Sequence, residues 1–368
     1  MKFLVFGAGA VGTYVGGSLV LAGHTVCFLA TPPSARLIRE RGLRLDLRAG
    51  AKPDLAGAAW WGEEVSLGPA RFAVAGSLEE ALRSGDFDVS VFALKTYHAA
   101  AAMEAVLAAA APMPPVLCLS NGVETEAVIG RALGAQRVIA GALTTAVSRR
   151  GPGEVAVESR RGVALAAQPG ISEALAAALN AAGLNARTYA DANSMKWSKL
   201  LLNLLTNPTA AILDMRPSEI LAHDGLYRLE MRMLRECLAV MKALGLRVLN
   251  LHGAPVGVLA WMAGMPPRLS APFIRRSVGL GRGGKMPSLH VDLHSGRGQS
   301  EVVSLHGAVA RVGAEHGIAT PVNRSLTEIL LGLVSGEIST DEYARLPEKL
   351  IARIEAIGAL RANGSGMG

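Results

Sequence analysis

The sequence predicts an α/β domain with a mainly parallel sheet, followed by an all-helical domain. Two observations support this fold class. Short apolar runs alternate with helical periodicity up to about residue 190, and strand patterns nearly vanish after it. The chain has 368 residues, of which 50% are hydrophobic, and this is enough to bury a separate core in each domain. We therefore predict domains at 1–190 and 191–340, with a helical extension and a disordered tail at 341–368.

The amino-terminal segment has the pattern of a strand, a glycine-rich turn, a helix and a second strand. Residues 2–6 form an apolar run that fits a strand buried on both faces. Apolar residues then recur at helical spacing from Val11 to Ala22, and residues 25–30 form the second apolar run. This segment has the length of one βαβ crossover, about 30 residues.

Strands and helices continue to alternate through the first domain. Between residues 144 and 168, short runs divided by Gly151-Pro152-Gly153 predict antiparallel strands that complete it. Residues 32–75 show no pattern that we can assign. The alternation predicts strands at 88–94, 115–120 and 137–141, and helices at 99–111 and 124–133.

Helical periodicity dominates the sequence from Asp191 onward, and prolines separate the periodic segments. Such a pattern is typical of a domain built from packed helices alone. It predicts helices at 192–206, 225–244, 299–316 and 321–334.

The turn after the first strand contains a GxGxxG motif. The first glycine permits a tight turn, the second lets a pyrophosphate approach the backbone, and the third lets the helix pack closely on the strand. The amide N–H groups at the start of the helix then face the phosphates. In this βαβ context the motif predicts a Rossmann-type dinucleotide-binding domain. Its residues are Gly7, Ala8, Gly9, Ala10, Val11 and Gly12.

The residues after the second strand indicate which dinucleotide binds. An acid about 20 residues past the glycines holds an NAD ribose, but no Asp or Glu occurs between Gly7 and Glu40. Thr31, Ser34 and Arg36 occupy this region instead, and hydroxyls with a guanidinium suit a 2′-phosphate. We therefore predict NADP, with Thr31 and Arg36 in its site. The alternative is that Arg36 only begins a solvated helix.

A polar face interrupts the apolar helix predicted at 192–206. Lys199, Asn203 and Asn207 are four residues apart, so they share one helical face, and leucines occupy the other faces. The alternative is that Asn207, which precedes Pro208, ends the helix and that Lys199 is a surface lysine. Three polar side chains on an otherwise apolar element favour a functional site.

Together these motifs resemble the ketopantoate reductase (2-dehydropantoate 2-reductase) family. The resemblance runs from residue 1 to about residue 335 and includes Lys95 in FALKTYH, Asn121 in LSNGVET, Ser288, and Glu301 in SEVVSLHGAVARVGAEHGIATPVN. That family joins a Rossmann domain to an all-helical domain like that of 6-phosphogluconate dehydrogenase. Its members reduce 2-dehydropantoate to pantoate with NADPH, in the pathway to pantothenate.

The resemblance implies that Lys199 and Glu301 are the catalytic residues. Lys199 matches the general acid, because an ammonium can polarise a ketone and donate a proton to the developing alkoxide. A free lysine has a pKa of about 10.4, so this role requires burial to lower the pKa of Lys199. Glu301 matches the residue that binds the substrate hydroxyl and supports the lysine. A glutamate at a helix start is also a common capping residue, which is the alternative for Glu301.

The resemblance also implies a set of binding residues. Asn203, Asn207 and Ser288 match positions that hold the substrate, a small 2-oxo acid. Lys95 and Asn121 match positions in the cleft where nicotinamide and substrate meet. Taken without the family, Lys95 is equally a strand-end lysine that reaches solvent, and Ser288 is a capping type of residue after a proline.

The chain departs from the family pattern at three points. Thr31 stands where the family commonly has an arginine, so a preference for NADP rests on Arg36 or is relaxed. The loop between Ser288 and Glu301 is one residue longer than in familiar members. His306 stands where many members carry asparagine.

Composition bears on the remaining classes of function. The net charge is +7, but Lys and Arg occur in pairs and not in runs, which favours an anionic small molecule over nucleic acid. No stretch predicts a membrane span, and we expect a cytoplasmic protein with buried, reduced cysteines. No metal motif accompanies the histidines, so we predict no metal site; these are His290, His294, His306 and His316.

Three alternatives remain open from the sequence. The same fold and cofactor can serve another 2-oxo acid or an imine as the acceptor. A protein that senses NADP without catalysis would also bind the dinucleotide, although it would need no lysine on the polar face. The helical extension offers a surface for a homodimer, which the sequence neither requires nor excludes.

Overall fold

The computed structural model describes residues 1–50, 60–281 and 286–364. These residues divide into an amino-terminal unit, Met1–Lys196 with Leu251–Ala254, and a carboxy-terminal unit, Trp197–Asn250 with Pro255–Gly368. The domain boundary that the sequence suggests near residue 190 stays a prediction, and the division between the two units falls a few residues later.

The amino-terminal unit contains all the strands of the described chain. They are β1 (Lys2–Phe6), β2 (Thr25–Leu29), β3 (Leu43–Asp46), β4 (Glu64–Leu67), β5 (Ala73–Ala75), β6 (Val89–Phe92), β7 (Val116–Cys118), β8 (Val138–Leu143), β9 (Ala146–Gly151), β10 (Glu154–Ser159), β11 (Val163–Ala166) and β12 (Ala186–Tyr189).

The strands form two sheets. The larger has the order β12-β11-β8-β7-β6-β1-β2-β5, and all its neighbours are parallel except β11 and β8. The smaller has the order β4-β3-β10-β9 and holds the antiparallel pair β9–β10 that the sequence predicts after residue 144. The predicted α/β fold class, a Rossmann-type domain followed by helices, is confirmed.

Strand β1 lies in the interior of the large sheet, between β6 and β2, and is apolar on both faces. Phe3 and Val5 belong to one cluster of buried residues, whereas Leu4 and Phe6 belong to another. Alternate residues of a strand point to opposite faces, so the sheet separates two hydrophobic layers. Helices cover both layers, as the crossover connections of a parallel sheet require.

The helices of the chain lie around this sheet and then continue alone. They are α1 (Ala10–Leu21), α2 (Pro32–Arg41), α3 (Leu78–Arg83), α4 (Ala99–Ala108), α5 (Thr125–Leu133), α6 (Ser172–Ala181), α7 (Ala192–Leu204), α8 (Asn207–Leu213), α9 (Pro217–Ala222), α10 (Asp224–Ala243), α11 (Val256–Gly264), α12 (Pro267–Gly281), α13 (Ser288–Leu293), α14 (His306–Glu315), α15 (Pro321–Ser335) and α16 (Pro347–Gly364).

The carboxy-terminal unit is built around α10, which packs against α9, α11, α12, α14, α15 and α16. Its inward side carries Met231, Met233 and Cys237, all fully buried. None of the described helices is both long and apolar enough to span a bilayer. Helix α16 occupies the predicted extension, and residues 365–368 of the predicted disordered tail lie outside the described residues.

Two local predictions differ from the structure. Within 32–75, where the sequence gives no assignment, the described residues form α2, β3, β4 and β5. Residues 51–59 of this segment lie outside the described residues. The helix predicted at 299–316 is divided into a short 3₁₀ turn, Glu301–Ser304, and α14, because Leu305 departs from helical dihedral angles.

Candidate active site

Four of the predicted cofactor residues follow neighbouring parallel strands. Gly7 follows β1, and Thr31 follows β2. Lys95 follows β6, and Asn121 follows β7. Since β7, β6, β1 and β2 are adjacent in the sheet, their carboxyl ends share one edge. The chain order reverses between β6 and β1, and ligands of open α/β sheets bind at such a reversal.

The glycine turn is held by close backbone contacts. Gly7 has φ +96°, a conformation that side chains rarely adopt. A Cβ on Gly12 would lie 1.8 Å from the carbonyl oxygen of Gly7, so only glycine lets α1 start here. A Cβ on Gly9 would meet nothing within 4 Å apart from the adjoining residues of the chain. The space beside Gly9 is therefore open to a ligand, as a pyrophosphate would need.

Close packing between α1 and the sheet depends on one further glycine that the motif does not contain. A Cβ on Gly16 would lie 2.4 Å from Cε1 of Phe28 in β2. Sequence reasoning assigned the helix packing role to Gly12 alone. The structure shares that role between the two glycines.

The residues predicted to favour NADP over NAD lie at the start of α2. Thr31 precedes the helix, and its Oγ1 donates to Oγ of Ser34 over 3.1 Å. Nε of Arg36 lies 2.9 Å from Oε1 of Glu40, four residues along the helix, and the Arg36 side chain is 82% exposed. The guanidinium is therefore on the surface, in a weak ion pair that a phosphate can replace.

Lys95 and Asn121 lie in loops that are tied together. Lys95 is partly buried and precedes a 3₁₀ turn at Thr96–His98. The hydroxyl of Ser120 donates to the carbonyl oxygen of Leu94 over 2.8 Å, which joins the loop after β7 to the loop after β6. Asn121, the next residue, is also partly buried. The contact fixes both backbones at this edge of the sheet.

A buried ion pair that sequence reasoning missed supports the Asn121 loop. Nζ of Lys196 donates to the carbonyl oxygens of Ser120 over 2.9 Å and Gly141 over 3.2 Å. It also lies 2.7 Å from Oε1 of Glu126 at the start of α5. A buried charge needs such partners to offset its desolvation. No local sequence pattern predicts the Lys196–Glu126 pair, because the two residues are far apart in the sequence.

The lysine–asparagine series of the carboxy-terminal unit is connected by hydrogen bonds. Nζ of Lys199 donates to Oδ1 of Asn203 over 3.0 Å, as their spacing on α7 predicts. Nδ2 of Asn207 donates to the carbonyl oxygen of Asn203 over 2.9 Å and to Oγ of Ser288 over 3.4 Å. The backbone N–H of Leu289 donates to Oδ1 of Asn207 over 3.1 Å. Asn207 therefore ties the start of α13 to the end of α7.

The helix predicted at 192–206 ends at Leu204, and Asn207 begins a separate helix and does not continue the polar face of Lys199 and Asn203. Pro208 has no N–H to donate to the carbonyl of Leu204, so α7 ends and α8 begins. Thr206 adopts a left-handed conformation with φ 58°, and its N–H donates to Oε2 of Glu230 over 2.7 Å. Glu230 is fully buried, and sequence reasoning missed it because it lies in an ordinary amphipathic helix.

Glu301 is buried at the first position of the 3₁₀ turn that precedes α14. Ser300, and not Glu301, caps this turn, since its Oγ accepts from the N–H of Val302. The alternative of a simple capping glutamate therefore loses support. The roles predicted for Glu301, which are to bind the substrate hydroxyl and to support Lys199, stay predictions.

His306, five residues further on, is a fully buried histidine. Its ring lies 3.0 Å from Oδ1 of Asn323, whose amide Nδ2 donates to the carbonyl oxygen of Met233 and to Glu236. Oδ1 is therefore an acceptor and Nδ1 of His306 carries the proton. Burial lowers the pKa of His306 from 6.5 to about 3, although the hydrogen bond that His306 donates to Asn323 raises it. His306 thus stays neutral in the folded protein.

We expect this histidine to make stability depend on pH. Its unfolded pKa exceeds its folded pKa, so the unfolded chain binds more protons as the pH falls from 6.5 toward 3. The free energy of unfolding should fall by about 2 kcal/mol between about pH 8 and about pH 5 from this group alone. Urea unfolding of wild type and His306→Asn at both pH values checks this, with the exposed His316→Asn as control. Equal pH dependence in wild type and His306→Asn would contradict it.

Comparison with known proteins identifies the family of this chain. The model for ketopantoate reductase PanE/ApbA matches residues 3–170, and the model for its C-terminal domain matches residues 191–334. The chain belongs to the ketopantoate reductase family. This is a family of nicotinamide-dependent reductases, so the chain is an oxidoreductase by family.

Individual relatives agree with the family model at low identity. The 2-dehydropantoate 2-reductase of Halobacterium salinarum is 27% identical over 336 residues, which cover 90% of this chain and 98% of the relative. The crystal structure of a PanE/ApbA family ketopantoate reductase from Ralstonia eutropha JMP134 is 26% identical, with a TM-score of 0.74 over 92% of this chain and 99% of that one. D-mandelate dehydrogenase with NADH and anilino(oxo)acetate has a TM-score of 0.73 at 21% identity, over 91% of this chain and 99% of that one, and shows a shared fold.

Proposed function

We propose that this protein reduces 2-dehydropantoate to pantoate with NADPH, and that Lys199 is its general acid. Family membership and relatives named 2-dehydropantoate 2-reductase support the reaction. The observation that carries the role of Lys199 is its 3.0 Å hydrogen bond to Asn203, which holds the ammonium beside a side-chain amide of the same helix. Oxidation of NADPH in the presence of 2-dehydropantoate tests the proposal.

Lys199 is suited to the proton transfer that ketone reduction needs. When bound, NADPH supplies the hydride that attacks the carbonyl carbon. Negative charge then develops on the carbonyl oxygen, and an ammonium stabilises that charge and donates its proton there. The side-chain oxygen of Asn203 accepts a hydrogen bond from Nζ of Lys199, and this contact orients the ammonium.

Asn207 and Ser288 would orient the substrate as a linked pair. The Asn207 side chain is buried and engaged with Ser288 and the N–H of Leu289, whereas Ser288 is exposed. A hydroxyl held by a buried amide has a fixed position. Fixed binding groups lower the entropic cost of bringing the substrate into a reactive geometry. We propose that Ser288 contacts the substrate and that Asn207 positions it. Glu301 is proposed to bind the substrate hydroxyl.

The residues of the glycine turn fit the dinucleotide. Gly9 leaves open space beside the backbone, and α1 begins with no acidic residue in its first turn. The free N–H groups of a helix start favour a phosphate in such a place. Lys95 and Asn121, at the same edge of the sheet, are proposed to contact the nicotinamide end. Together these features support a nicotinamide dinucleotide, and Arg36 with Thr31 is the basis for proposing NADP.

Replacing Arg36 should separate the two cofactors. We expect Arg36→Ala to raise the KM for NADPH by about tenfold, because a charged hydrogen bond to the 2′-phosphate is lost. The KM for NADH should stay within about twofold, since NADH has no such phosphate. Steady-state kinetics with both cofactors measure this, and Arg41→Ala, an exposed arginine of the same helix, is the control. An equal effect on both cofactors would show that Arg36 does not read the phosphate.

Two other functions make different predictions in the same assays. The fold is shared with D-mandelate dehydrogenase, so another 2-oxo acid or an imine is the second candidate for the acceptor. It would give a high kcat/KM with that acceptor and a poor one with 2-dehydropantoate. A protein that only senses NADP would bind the cofactor in calorimetry. It would not oxidise NADPH with any 2-oxo acid that is offered as acceptor. We also propose a cytoplasmic location, on the biosynthetic role of the family alone.

A further inference from the structure

Two histidines and an aspartate meet where α8 ends beside α13. Asp214 directly follows α8, His290 lies within α13, and His294 directly follows it. One ligand atom of each residue lies within 4.8 Å of the other two. Nε2 of His290 lies 2.8 Å from Oδ1 of Asp214. We propose that these three residues bind a divalent transition-metal ion of the zinc type.

The donor set decides the class of ion. Two imidazoles and a carboxylate suit zinc, nickel, copper or iron, whereas magnesium and calcium prefer oxygen ligands alone. His290 and His294 are four residues apart, the spacing with which a helix presents two histidines to one zinc ion. Three protein ligands leave a fourth position for water. The set is thus complete for a tetrahedral ion.

The local hydrogen bonds prepare His294 to be a ligand. Its Nδ1 lies 3.0 Å from the carbonyl oxygen of His290, so Nδ1 carries the proton and Nε2 keeps its lone pair. Metal-binding histidines donate their second ring N–H to such an acceptor. The two rings are stacked, with centroids 4.1 Å apart and planes 26° apart. One ring nitrogen of each histidine and one carboxylate oxygen of Asp214 already lie within 4.8 Å of one another.

Access and charge set the strength of the site. The Asp214 side chain is 59% exposed and His290 is 16% exposed, so an ion can enter from solvent. The N–H of Arg345 donates to the carbonyl oxygen of Leu213, and the Arg345 charge interacts with Asp214. This positive charge opposes a cation and weakens its binding. A mononuclear surface site of moderate affinity follows.

The ion would link α8 to α13, two helices that are also joined by a hydrogen bond between their first residues. Helix α8 begins with Asn207 and α13 begins with Ser288, which are hydrogen-bonded to each other. The proposed ion would join the same pair of helices again, at Asp214 and His290. The sequence predicts no metal site because no metal-binding motif accompanies these histidines, and Asp214 lies 76 residues before His290. The inference does not depend on the proposed reaction.

Zinc titration of the untagged, EDTA-treated full chain tests the site. Isothermal calorimetry should show a single saturable transition, and zinc should raise the melting temperature of the protein. His294→Ala and Asp214→Asn change exposed side chains, so both variants should fold. Each should weaken zinc binding by about 100-fold and abolish the thermal shift.

A matched control is available in the same unit. Nδ1 of His316 makes the same contact with a carbonyl four residues earlier, that of Val312, but His316 belongs to no group of three metal ligands in the described part of the chain. His316→Ala should bind zinc like wild type. Equal zinc binding by wild type and the double variant Asp214→Asn/His294→Ala would overturn the proposal. So would displacement of zinc by an equal concentration of magnesium.

Discussion

Lys199→Ala should lower kcat with 2-dehydropantoate by about 10² to 10⁴, the usual contribution of a positioned acid. The ketone would then take its proton from water, without an ammonium to stabilise the developing charge. Binding of NADPH should stay nearly intact, because Lys199 belongs to the helical unit and the glycine turn to the other. Steady-state kinetics and NADPH titration by fluorescence measure the two quantities separately.

Two further variants show whether the ammonium or only its charge is needed. Lys199→Arg keeps a positive charge but holds its proton too tightly to donate it, so it should stay nearly as slow as alanine. Lys242→Ala removes an exposed lysine of α10 and should leave kcat unchanged. Turnover by Lys199→Ala within a few-fold of wild type would remove this residue from the mechanism.

Gly12→Ala and Gly9→Ala should both abolish tight NADPH binding, but for different reasons. At Gly12 the new Cβ would lie 1.8 Å from the carbonyl oxygen of Gly7, and a backbone atom cannot move aside at low cost. We expect this variant to lose at least about 3 kcal/mol of stability, in addition to its cofactor site. At Gly9 the new Cβ meets nothing within 4 Å apart from the adjoining residues of the chain, so the fold should be unchanged.

The Gly9 variant is the more informative of the two. A methyl group there would push the pyrophosphate away from backbone N–H groups, and one charged hydrogen bond is worth about 1.5–3 kcal/mol. NADPH affinity should therefore fall by about 10- to 100-fold, while the melting temperature stays at the wild-type value. Calorimetric titration with NADPH and thermal unfolding check both expectations. Gly264→Ala, at an open position of α11, is the control. Normal NADPH binding by Gly9→Ala would place the pyrophosphate elsewhere.

The sequence predicted the parallel sheet because its signals are local. Short apolar runs such as residues 2–6 fit strands buried on both faces, and Gly7 with Gly12 marks the turn between strand and helix. Residues 32–75 gave no prediction, since β3, β4 and β5 are short and pair with strands distant in sequence. Local periodicity carries no information about such partners.

Within the candidate site, spacing predicted contacts along one helix and missed contacts between elements. The hydrogen bond from Lys199 to Asn203 follows from their spacing of four. The support of the Asn121 loop by Lys196 and Glu126 does not, because these residues meet only after the chain folds. Buried ion pairs of this kind depend on tertiary packing, and nothing in a helical or strand pattern marks them.

The rate of NADPH oxidation with 2-dehydropantoate, measured beside the same reaction with NADH, tests the central claim most directly. We expect a kcat/KM of at least about 10⁴ M⁻¹ s⁻¹ with NADPH, in the range of ordinary enzymes, and a lower value with NADH. A protein that binds NADPH but oxidises it no faster with 2-dehydropantoate than without it would contradict the claim.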